Sequence, residues 1–314
     1  MIFGNPDTIL SNDPEMSFAQ KVSVLQEQLA NAEAVVIGAG SGFSTAAGYT
    51  YSGERFEKYF ADFERKYGIR DMYSGGFYPY PTMEKFWGFW CRNIWINRYA
   101  PIPSNLYGRL LALVQDKEYF VLTTNVDHCF QRSGFDKKQL FYTQGDYGLF
   151  QSRSPGGAAN NRTYDNYEAI RRMILHEGYQ IGKKGELIVP KDTEIGMTVP
   201  SDLVPVCPDD GNLMIPNLRC DDSFIEDQGW HQAAKRYQDF LGRHEQLPVL
   251  YLELGVGMNT PVIIKFPFWK YTRQNPNSFY ACINLGEAGC DREIVKRSVC
   301  LDADISRVLE ALGV

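Results

Sequence analysis

The chain has 314 residues, a net charge of −6 and 44% hydrophobic residues, a composition typical of a soluble globular protein large enough for two lobes. It has no long basic run and no apolar run near the roughly 20 residues of a membrane span, so neither nucleic acid nor a membrane is an expected partner. The N-terminus lacks the features of a signal peptide and the seven cysteines include no C-x-x-C pair, so we expect reduced thiols and a cytoplasmic location.

The first predicted element is a helix over residues 17–32. Ser17 is placed to cap it, and Val22, Leu25 and Leu29 fall on one face. The helix leads directly into the most informative stretch of the chain.

A glycine-rich turn, G-A-G-S-G at 38–42, follows a buried apolar strand predicted at 34–37. Ser44 and Thr45 then stand where they would cap a helix that opens at Ala46. Strand, glycine turn and helix start form the arrangement that cradles a pyrophosphate, because glycines let the backbone approach and free N–H groups face the anion. A tight turn without a ligand is the alternative.

The match to the common dinucleotide fingerprint G-x-G-x-x-G is incomplete. Phe43 stands where the third glycine would be, and no second strand ending in Asp or Glu follows about 20 residues later. The region 58–67 is instead aromatic, charged and helix-like. A nucleotide site remains the interpretation, but a dehydrogenase is disfavoured.

Residues 51–100 contain sixteen aromatic residues among fifty. Phe56, Phe60 and Phe63 have helical spacing, and this predicts the core of a small helical lobe. A groove for an apolar ligand on the surface of that lobe is a second interpretation, and it is compatible with the first.

Polar side chains end the strand predicted at 119–127. In open α/β sheets the ligand lies beyond the carboxyl ends of the strands, so Thr124, Asn125 and Asp127 are well placed for chemistry. A capped turn is the alternative, since Asn and Asp are common in turns.

The other predicted elements are helices over 104–116, 231–244 and 302–312 and strands over 140–142, 247–254 and 278–285. These strands also end in polar or glycine-rich turns, so four such turns can converge on one cleft. The intervening stretch 151–230 is polar and rich in loops, with little regular structure expected.

The pattern predicts an α/β protein with a Rossmann-like parallel sheet and helices on both faces. Residues 1–50, 101–148 and 231–314 are assigned to the nucleotide-binding lobe. Two insertions, 51–100 and 149–230, are assigned to a smaller lobe.

Several of these segments, taken in chain order, resemble the motifs of the sirtuin family. The family's G-A-G-x-S-x-x-x-G resembles Gly38, Ala39 and Gly40, with Ser44 and Gly48 at its later positions after two extra residues. The resemblance implies that these residues bind NAD.

The family's T-Q-N-I-D resembles residues 123–127, which implies cofactor contacts from Thr124, Asn125 and Asp127. Asn125 would orient the ribose or a bound water, and Asp127 would accept a hydrogen bond from the carboxamide N–H₂. The family's G-T-S, I-N and G-D-A motifs imply further cofactor contacts, at Gly255, Val256, Gly257, Asn284, Asp302 and Ala303.

The position of the family's catalytic histidine holds Gln144. Deacylation requires a ribose hydroxyl to lose a proton, which suits histidine, whereas Gln144 cannot titrate and can only orient the cofactor or a nucleophile. A carboxylate acceptor is already ionised, so ADP-ribosyl transfer tolerates this site better. Asn125 and Gln144 are therefore the candidate catalytic residues, and neither His128 nor His176 is expected to replace the base.

The family's zinc module has two C-x-x-C pairs. Residues 151–154 read Q-S-R-S where the first pair belongs, and the second keeps only Cys207. One thiolate cannot supply the usual four ligands, so we expect a degenerate module without zinc. Residues 50–56 replace the family's P-D-F-R, so its nicotinamide-shielding residues cannot be carried over.

These departures resemble the macrodomain-linked sirtuins of microbes, a branch associated with protein ADP-ribosylation, which is a glycosyl transfer. The resemblance implies an NAD-dependent protein mono-ADP-ribosyltransferase that releases nicotinamide and has little deacylase activity. The implied substrate is a lipoylated carrier protein similar to the glycine-cleavage H protein, and a macrodomain hydrolase is an implied partner. A non-catalytic NAD-binding module and an NAD hydrolase remain the alternatives.

Overall fold

A computed structural model describes residues 8–10, 16–154, 161–191, 194–258 and 261–314. Its helices are α1 (Phe18–Asn31), α2 (Ser41–Ala46), α3 (Glu54–Tyr67), α4 (Met72–Gly76), α5 (Met83–Ile94), α6 (Leu106–Val114), α7 (Cys129–Arg132), α8 (Tyr167–His176), α9 (Gln228–Arg243), α10 (Lys265–Gln274) and α11 (Ile305–Ala311). Its strands are β1 (Thr8–Leu10), β2 (Ala34–Ala39), β3 (Glu118–Thr123), β4 (Leu140–Tyr142), β5 (Gly145–Ser152), β6 (Tyr164–Asp165), β7 (Gln180–Ile181), β8 (Leu187–Ile188), β9 (Met214–Leu218), β10 (Val249–Leu254), β11 (Phe279–Ile283), β12 (Gly289–Asp291) and β13 (Ser298–Leu301).

A six-stranded parallel sheet, in the order β13-β11-β10-β2-β3-β4, organises the molecule. Val36 of β2 lies opposite Tyr251 on one side and Phe120 on the other. Strands β2 and β10 are buried along their whole length, as expected for the interior of a parallel sheet covered on both faces. The predicted parallel α/β fold is confirmed.

Side chains alternate between the two faces of this sheet, as the two-residue period of strands requires. Val35 and Ile37 belong to a core shared with α1, α6 and α11, whereas Val36 belongs to a core shared with α9 and α10. Helix α1 begins at the predicted Ser17 cap, which forms a reciprocal capping box with Gln20. Helices therefore cover both faces of the sheet.

A third core contains the aromatic side chains of α3 and α5. Phe60 packs against Phe56 and Phe89 with ring centres 5.7 and 4.8 Å apart, and all three side chains are buried. Offset and tilted ring pairs of this kind stabilise a core beyond simple area burial. The predicted aromatic helical core is confirmed.

A buried arginine joins three segments of this aromatic core. Arg92 on α5 is 1% exposed; it donates to both carboxylate oxygens of Asp62 on α3, at 2.8 and 2.9 Å, and to Glu177 after α8 at 2.8 Å. A buried guanidinium needs such partners, because an unpaired buried charge is costly. These ion pairs fix α3 and α8 against α5.

Two local predictions are wrong. Helix α2 begins at Ser41 and not at Ala46, so Ser44 and Thr45 lie inside it rather than capping it. The stretch 151–230 contains more regular structure than expected, including α8 and part of a three-stranded antiparallel sheet in the order β6-β5-β9. Short strands of this kind are specified by their partners more than by their own sequence.

Strand β13 and the antiparallel pair of β1 with β12 were not predicted. Each has only three or four residues, which is too short for a clear periodic signal. Across the described part of the chain, none of the helices combines the length and the apolar character that crossing a bilayer requires.

Candidate active site

Six turns at the carboxyl ends of the central strands form a continuous row, which we call the turn row. From one edge of the sheet to the other these turns follow β13, β11, β10, β2, β3 and β4. With about 4.8 Å between neighbouring strands, five spacings give a row about 24 Å long. A long ligand laid across the turn row would meet all six turns, and this edge of an open α/β sheet is where ligands bind.

Glycines bring the turns after β2 and β10 into backbone contact. Gly42 donates its N–H to the carbonyl of Gly255 at 2.9 Å, and Gly40 donates to the carbonyl of Leu254 at 3.0 Å. A Cβ on Gly40 would lie 2.6 Å from the Gly255 oxygen, and Gly255 itself has a φ of 60°. Contrary to expectation, the N–H groups of Gly40 and Gly42 bind protein carbonyls instead of facing an anion.

Asn125 lies in the next turn, directly after β3, and is 8% exposed. Its Nδ2 donates to the carbonyl of Gly40 at 2.9 Å, and its backbone N–H donates to Thr123 Oγ1 at 3.0 Å. The N–H of Thr124 binds the carbonyl of Ala39 at 3.1 Å. An amide has a second N–H and a carbonyl oxygen, so this anchoring leaves groups with which Asn125 can orient a ribose.

Two predicted site residues, Ser44 and Asp127, are in direct contact. Ser44 Oγ donates to Asp127 Oδ2 at 2.5 Å, the N–H of Cys129 donates to Oδ1 at 2.9 Å, and the hydroxyl of Tyr107 lies 3.4 Å from Oδ2. Burial and the charge of Asp127 raise the pKa of Tyr107, so its hydroxyl keeps its proton. The single proton of Tyr107 is directed to Ser44 Oγ, 2.9 Å away, because Ser44 gives its own proton to Asp127. Two of about four acceptor positions on the carboxylate are thus occupied, which leaves about two for other donors such as a carboxamide.

Gln144 follows β4 at the edge of the turn row and is half-buried. Its backbone oxygen accepts the N–H of Arg219 at 3.0 Å, and its Nε2 lies 3.4 Å from Thr143 Oγ1. The guanidinium of Arg219 lies over the ring of Phe224, 4.4 Å from its centre, and forms an ion pair with Glu226. Sequence reasoning missed Arg219, because it reaches this turn from a distant strand, β9.

At the opposite end of the turn row, side chains join the turns after β10, β11 and β13. Asn284 Nδ2 donates to the carbonyl of Val256 at 3.1 Å, and Asp302 Oδ1 accepts the N–H of Gly286 at 2.7 Å. The predicted residues Val256, Asn284 and Asp302 are thus brought together. Carboxylate and amide groups of this kind suit the hydroxyl groups of a ribose.

Glu287 is an exposed acidic residue at this end that sequence reasoning missed. Its Oε2 accepts the N–H of Met258 at 3.2 Å and lies 3.4 Å from where a Cβ on Gly257 would be. The predicted residue Gly257 therefore lies beside a carboxylate. An acidic side chain at such an edge is the usual partner of a ribose hydroxyl.

Three predicted cofactor residues have contacts that account for them by packing. A Cβ on Gly38 would lie 2.3 Å from a methyl group of Ile264, and one on Gly48, whose φ is 99°, would lie 2.7 Å from Pro103. Ala303 is 5% exposed and belongs to the core under the sheet.

The segment where the first cysteine pair was expected is held by a buried amide. Gln151 Oε1 accepts Asn217 Nδ2 at 2.7 Å and the N–H of Ile225 at 3.0 Å, and its Nε2 donates to the carbonyl of Ser223 at 2.8 Å. Gln151 therefore joins β5 to β9 and to the loop after it. Within the described ranges, no group of three or more His, Cys, Asp or Glu residues is arranged to hold a metal ion, and the absence of zinc stays a prediction.

No protein-family model matches the chain. Its fold is similar to solved structures described as "Sir2 bound to acetylated peptide" and "Sir2-p53 peptide-NAD+", with TM-scores of 0.55 and 0.53, at 17% identity and over 92% of this chain and 95% of each of the others. A Staphylococcus aureus protein named "Protein ADP-ribosyltransferase" is 32% identical over 291 residues, 92% of this chain and 86% of that protein. The chain belongs to the same family as this Staphylococcus aureus protein, and its fold is the sirtuin fold.

This sirtuin is also 28% identical over 265 residues to a Fusarium oxysporum protein named "Probable bifunctional ADP-ribose hydrolase/ADP-ribosyltransferase". The match covers 82% of this chain but 40% of that longer protein. The turn row itself fits NAD, because Asn125 and Asp127 stand on one side of the paired glycine turns and the acceptors Asn284, Glu287 and Asp302 stand on the other.

Proposed function

We propose that this sirtuin is an NAD-dependent protein mono-ADP-ribosyltransferase that releases nicotinamide and has little deacylase activity. The observation that carries the proposal is Gln144, which follows β4 at the position where the deacylases of the family have histidine. An amide does not take up a proton at neutral pH. General base catalysis typically contributes about 10²–10⁴-fold, so the loss of the base should nearly silence deacylation.

We assign the proposed roles to residues of the turn row. NAD, when bound, supplies the ADP-ribosyl group and nicotinamide as its leaving group. Asn125 orients the ribose, and Asp127 accepts a hydrogen bond from the carboxamide N–H₂. Gln144 orients the acceptor, and an acceptor that is already ionised, such as a carboxylate, needs no base to activate it.

The proposed substrate is a lipoylated carrier protein that resembles the glycine-cleavage H protein. An apolar arm on such a carrier needs an exposed apolar surface. Tyr73 and Phe77, in and next to α4, are 66% and 57% exposed, and their ring centres lie 4.9 Å apart. Most other aromatic side chains of α3 and α5 are buried, so this pair is the proposed contact for the lipoyl arm.

The proposal is tested by incubating NAD with a panel of acyl-lysine peptides and, separately, with lipoylated or unlipoylated carrier. We expect nicotinamide release and carrier labelling that depend on the lipoyl group, with little peptide deacylation. Robust deacylation without carrier labelling would overturn the transferase. Nicotinamide release that ignores the carrier would indicate an NAD hydrolase, and binding without release would indicate a non-catalytic module.

A double variant tests the lipoyl contact itself. Tyr73→Ser with Phe77→Ser should reduce labelling of the lipoylated carrier to the level seen without the lipoyl group. Val206→Ser, which changes a 55% exposed apolar residue elsewhere, serves as the control and should leave labelling unchanged. If the unsubstituted enzyme labels lipoylated and unlipoylated carrier equally, the transferase proposal stands but the lipoyl contact is refuted.

A further inference from the structure

Three polar side chains meet next to the turn row, and we call them the Asp146 cluster: His128, Asp146 and Arg98. His128 Nδ1 hydrogen-bonds to Asp146 Oδ2, while Arg98 Nε and the N–H of Gly148 donate to Oδ1 at 2.9 and 2.7 Å. Asp146 is 3% exposed, and two side chains and one backbone group thus balance its charge.

The electrostatics of the cluster fix the orientation of the imidazole. Burial favours the neutral form of Asp146, but the hydrogen bond and charge of His128 and the charge of Arg98 outweigh it, so the pKa of Asp146 is lowered. An ionised carboxylate only accepts hydrogen bonds, so Nδ1 of His128 carries a proton and donates it.

The cluster joins three segments that are far apart in sequence. His128 immediately follows Asp127 in the turn after β3, and Asp146 is the second residue of β5, two residues after Gln144 in the turn after β4. Arg98 comes from the helical segment that continues α5, in the aromatic part of the molecule. The two turns that carry the candidate catalytic residues are therefore both tied to one buried carboxylate.

Two backbone irregularities and one close approach converge on the cluster. His128 has a φ of 63°, a left-handed conformation that no other non-glycine residue in the described part of the chain adopts. Arg98 lies in a π-helical turn, Trp95–Tyr99, and such turns often mark functional sites. A Cβ on Gly148 would lie 2.7 Å from Arg98 Nε, so a glycine is needed for the guanidinium to reach the carboxylate.

We propose that His128, Asp146 and Arg98 are positioning residues for catalysis. They hold the Asn125 turn and the Gln144 turn in one fixed relation, and they act through those turns. A strained backbone persists only where the surrounding structure enforces it. Here the strained His128 keeps the side chains of Asn125 and Gln144 in their places relative to each other. The inference rests on the proposed function, because its main measurement is NAD turnover.

Substitutions at His128 separate the hydrogen bond from the backbone strain. Glycine adopts the left-handed conformation without strain but has no donor, so His128→Gly removes the bond alone. Asparagine tolerates the same conformation and its Nδ2 can donate near the place of the imidazole N–H, so His128→Asn keeps both features. The two variants form a matched pair.

The experiment measures kcat and KM for nicotinamide release with lipoylated carrier as the acceptor, the Kd for NAD, and Tm. We expect His128→Gly to lower kcat by about 10- to 100-fold, since small misplacements near the reacting atoms cost this much, with KM and Kd close to the unmodified protein. Loss of one partner of the buried carboxylate should lower Tm, and relief of the strained backbone should offset part of that loss. His128→Asn should recover most of the lost kcat. Gly148→Ala, which displaces Arg98 from the other side, should lower kcat in the same selective way.

The outcomes separate this inference from the proposed function. If the unmodified protein releases no nicotinamide, both the proposed function and this inference are refuted. If the unmodified protein is active and the His128→Gly variant keeps its full kcat, only the positioning role is refuted. The positioning role would also be refuted if His128→Asn had a kcat as low as that of His128→Gly. It would likewise be refuted if the loss of kcat in the variants were fully explained by their loss of thermal stability. A folding defect in His128→Gly leaves Gly148→Ala to decide.

Discussion

Asn125 shows how one side chain in the turn row can have two tasks. Its Nδ2 ties its own turn to the carbonyl of Gly40 at 2.9 Å, and its remaining amide groups are free to meet a ribose. The hydrogen bond to Gly40 contributes little to the free energy of unfolding, because a neutral hydrogen bond is typically worth about 0.5–1.5 kcal/mol. The two tasks can therefore be separated by substitution.

Asn125→Ala should abolish nicotinamide release while the fold survives. Loss of one group that stabilises a transition state typically costs about 10²–10³ in kcat. The free energy of unfolding should fall by no more than about 1.5 kcal/mol. Asn277→Ala is the control, because its exposed amide also donates to a backbone carbonyl, at 3.0 Å, but far along the chain. Turnover and urea unfolding of both variants check this, and an unaffected rate would remove Asn125 from the mechanism.

Residue identities at strand ends were predictable, but several partners were not. The polar residues after β3 and β4 and the glycines after β10 stand where the sequence placed them. The glycine turn predicted at 38–42 is shorter than expected, because Gly38 and Ala39 belong to β2 and Gly42 belongs to α2. Tyr107 reaches Asp127 from α6, and Arg219 reaches Gln144 from β9. Such partners are brought together by packing between distant elements, and no local pattern signals them. For the same reason the tie between His128 and Asp146 could not be foreseen, although both residues flank predicted site residues.

At the scale of elements, helices and strands with strong local sequence patterns were predicted correctly, whereas strands that depend on pairing with distant segments were not. Helix α1 has a capping box and an apolar face, and both are readable along one stretch of chain. Strands β5 and β9 are separated by more than sixty residues and pair antiparallel, so neither fixes the other's register locally. The start of α2 was misplaced because Gly40 alone separates β2 from the helix and caps it without a side chain, whereas Ser44 has a partner across the molecule.

The backbone contact between the glycine turns gives a matched pair of substitutions. Gly40→Ala should lower the free energy of unfolding by about 1–3 kcal/mol, because its Cβ would lie 2.6 Å from the Gly255 oxygen. Gly242→Ala, in α9 with open space around its Cβ, should raise it by about 0.5–1 kcal/mol. Chemical denaturation of both variants checks this. Equal effects of the two substitutions would contradict the close approach of the turns.

The degenerate module should be held by Gln151 and not by zinc. Gln151→Ala leaves the side chain of Asn217 and the N–H of Ile225 without this acceptor, so we expect a loss of about 1–3 kcal/mol per unsatisfied group. A chelator should leave Tm unchanged, and purified protein should contain little zinc. Stoichiometric zinc together with unfolding on chelation would defeat this prediction.

At the scale of the whole molecule, the site exists only in the assembled sheet. Its six turns follow strands drawn from both ends of the chain, and hydrogen bonds between neighbouring turns keep the row continuous. The unfolded chain has no such row. A ligand that occupies it must therefore bind the folded state alone, and its binding free energy adds to the stability of the whole protein.

NAD at about 100 times its Kd should raise the free energy of unfolding by about 2.7 kcal/mol. Asn125→Ala should keep most of this stabilisation, because many other groups of the row remain, whereas Asn284→Ala should lose part of it by freeing the turn after β11. Thermal and urea unfolding with and without NAD check both variants. When lipoylated carrier is added before the measurement, an active enzyme consumes NAD and the stabilisation decays, but in the Asn125→Ala variant it should persist. Persistence in the unmodified protein as well would favour the non-catalytic binding module, and the absence of any stabilisation would contradict NAD binding at the turn row.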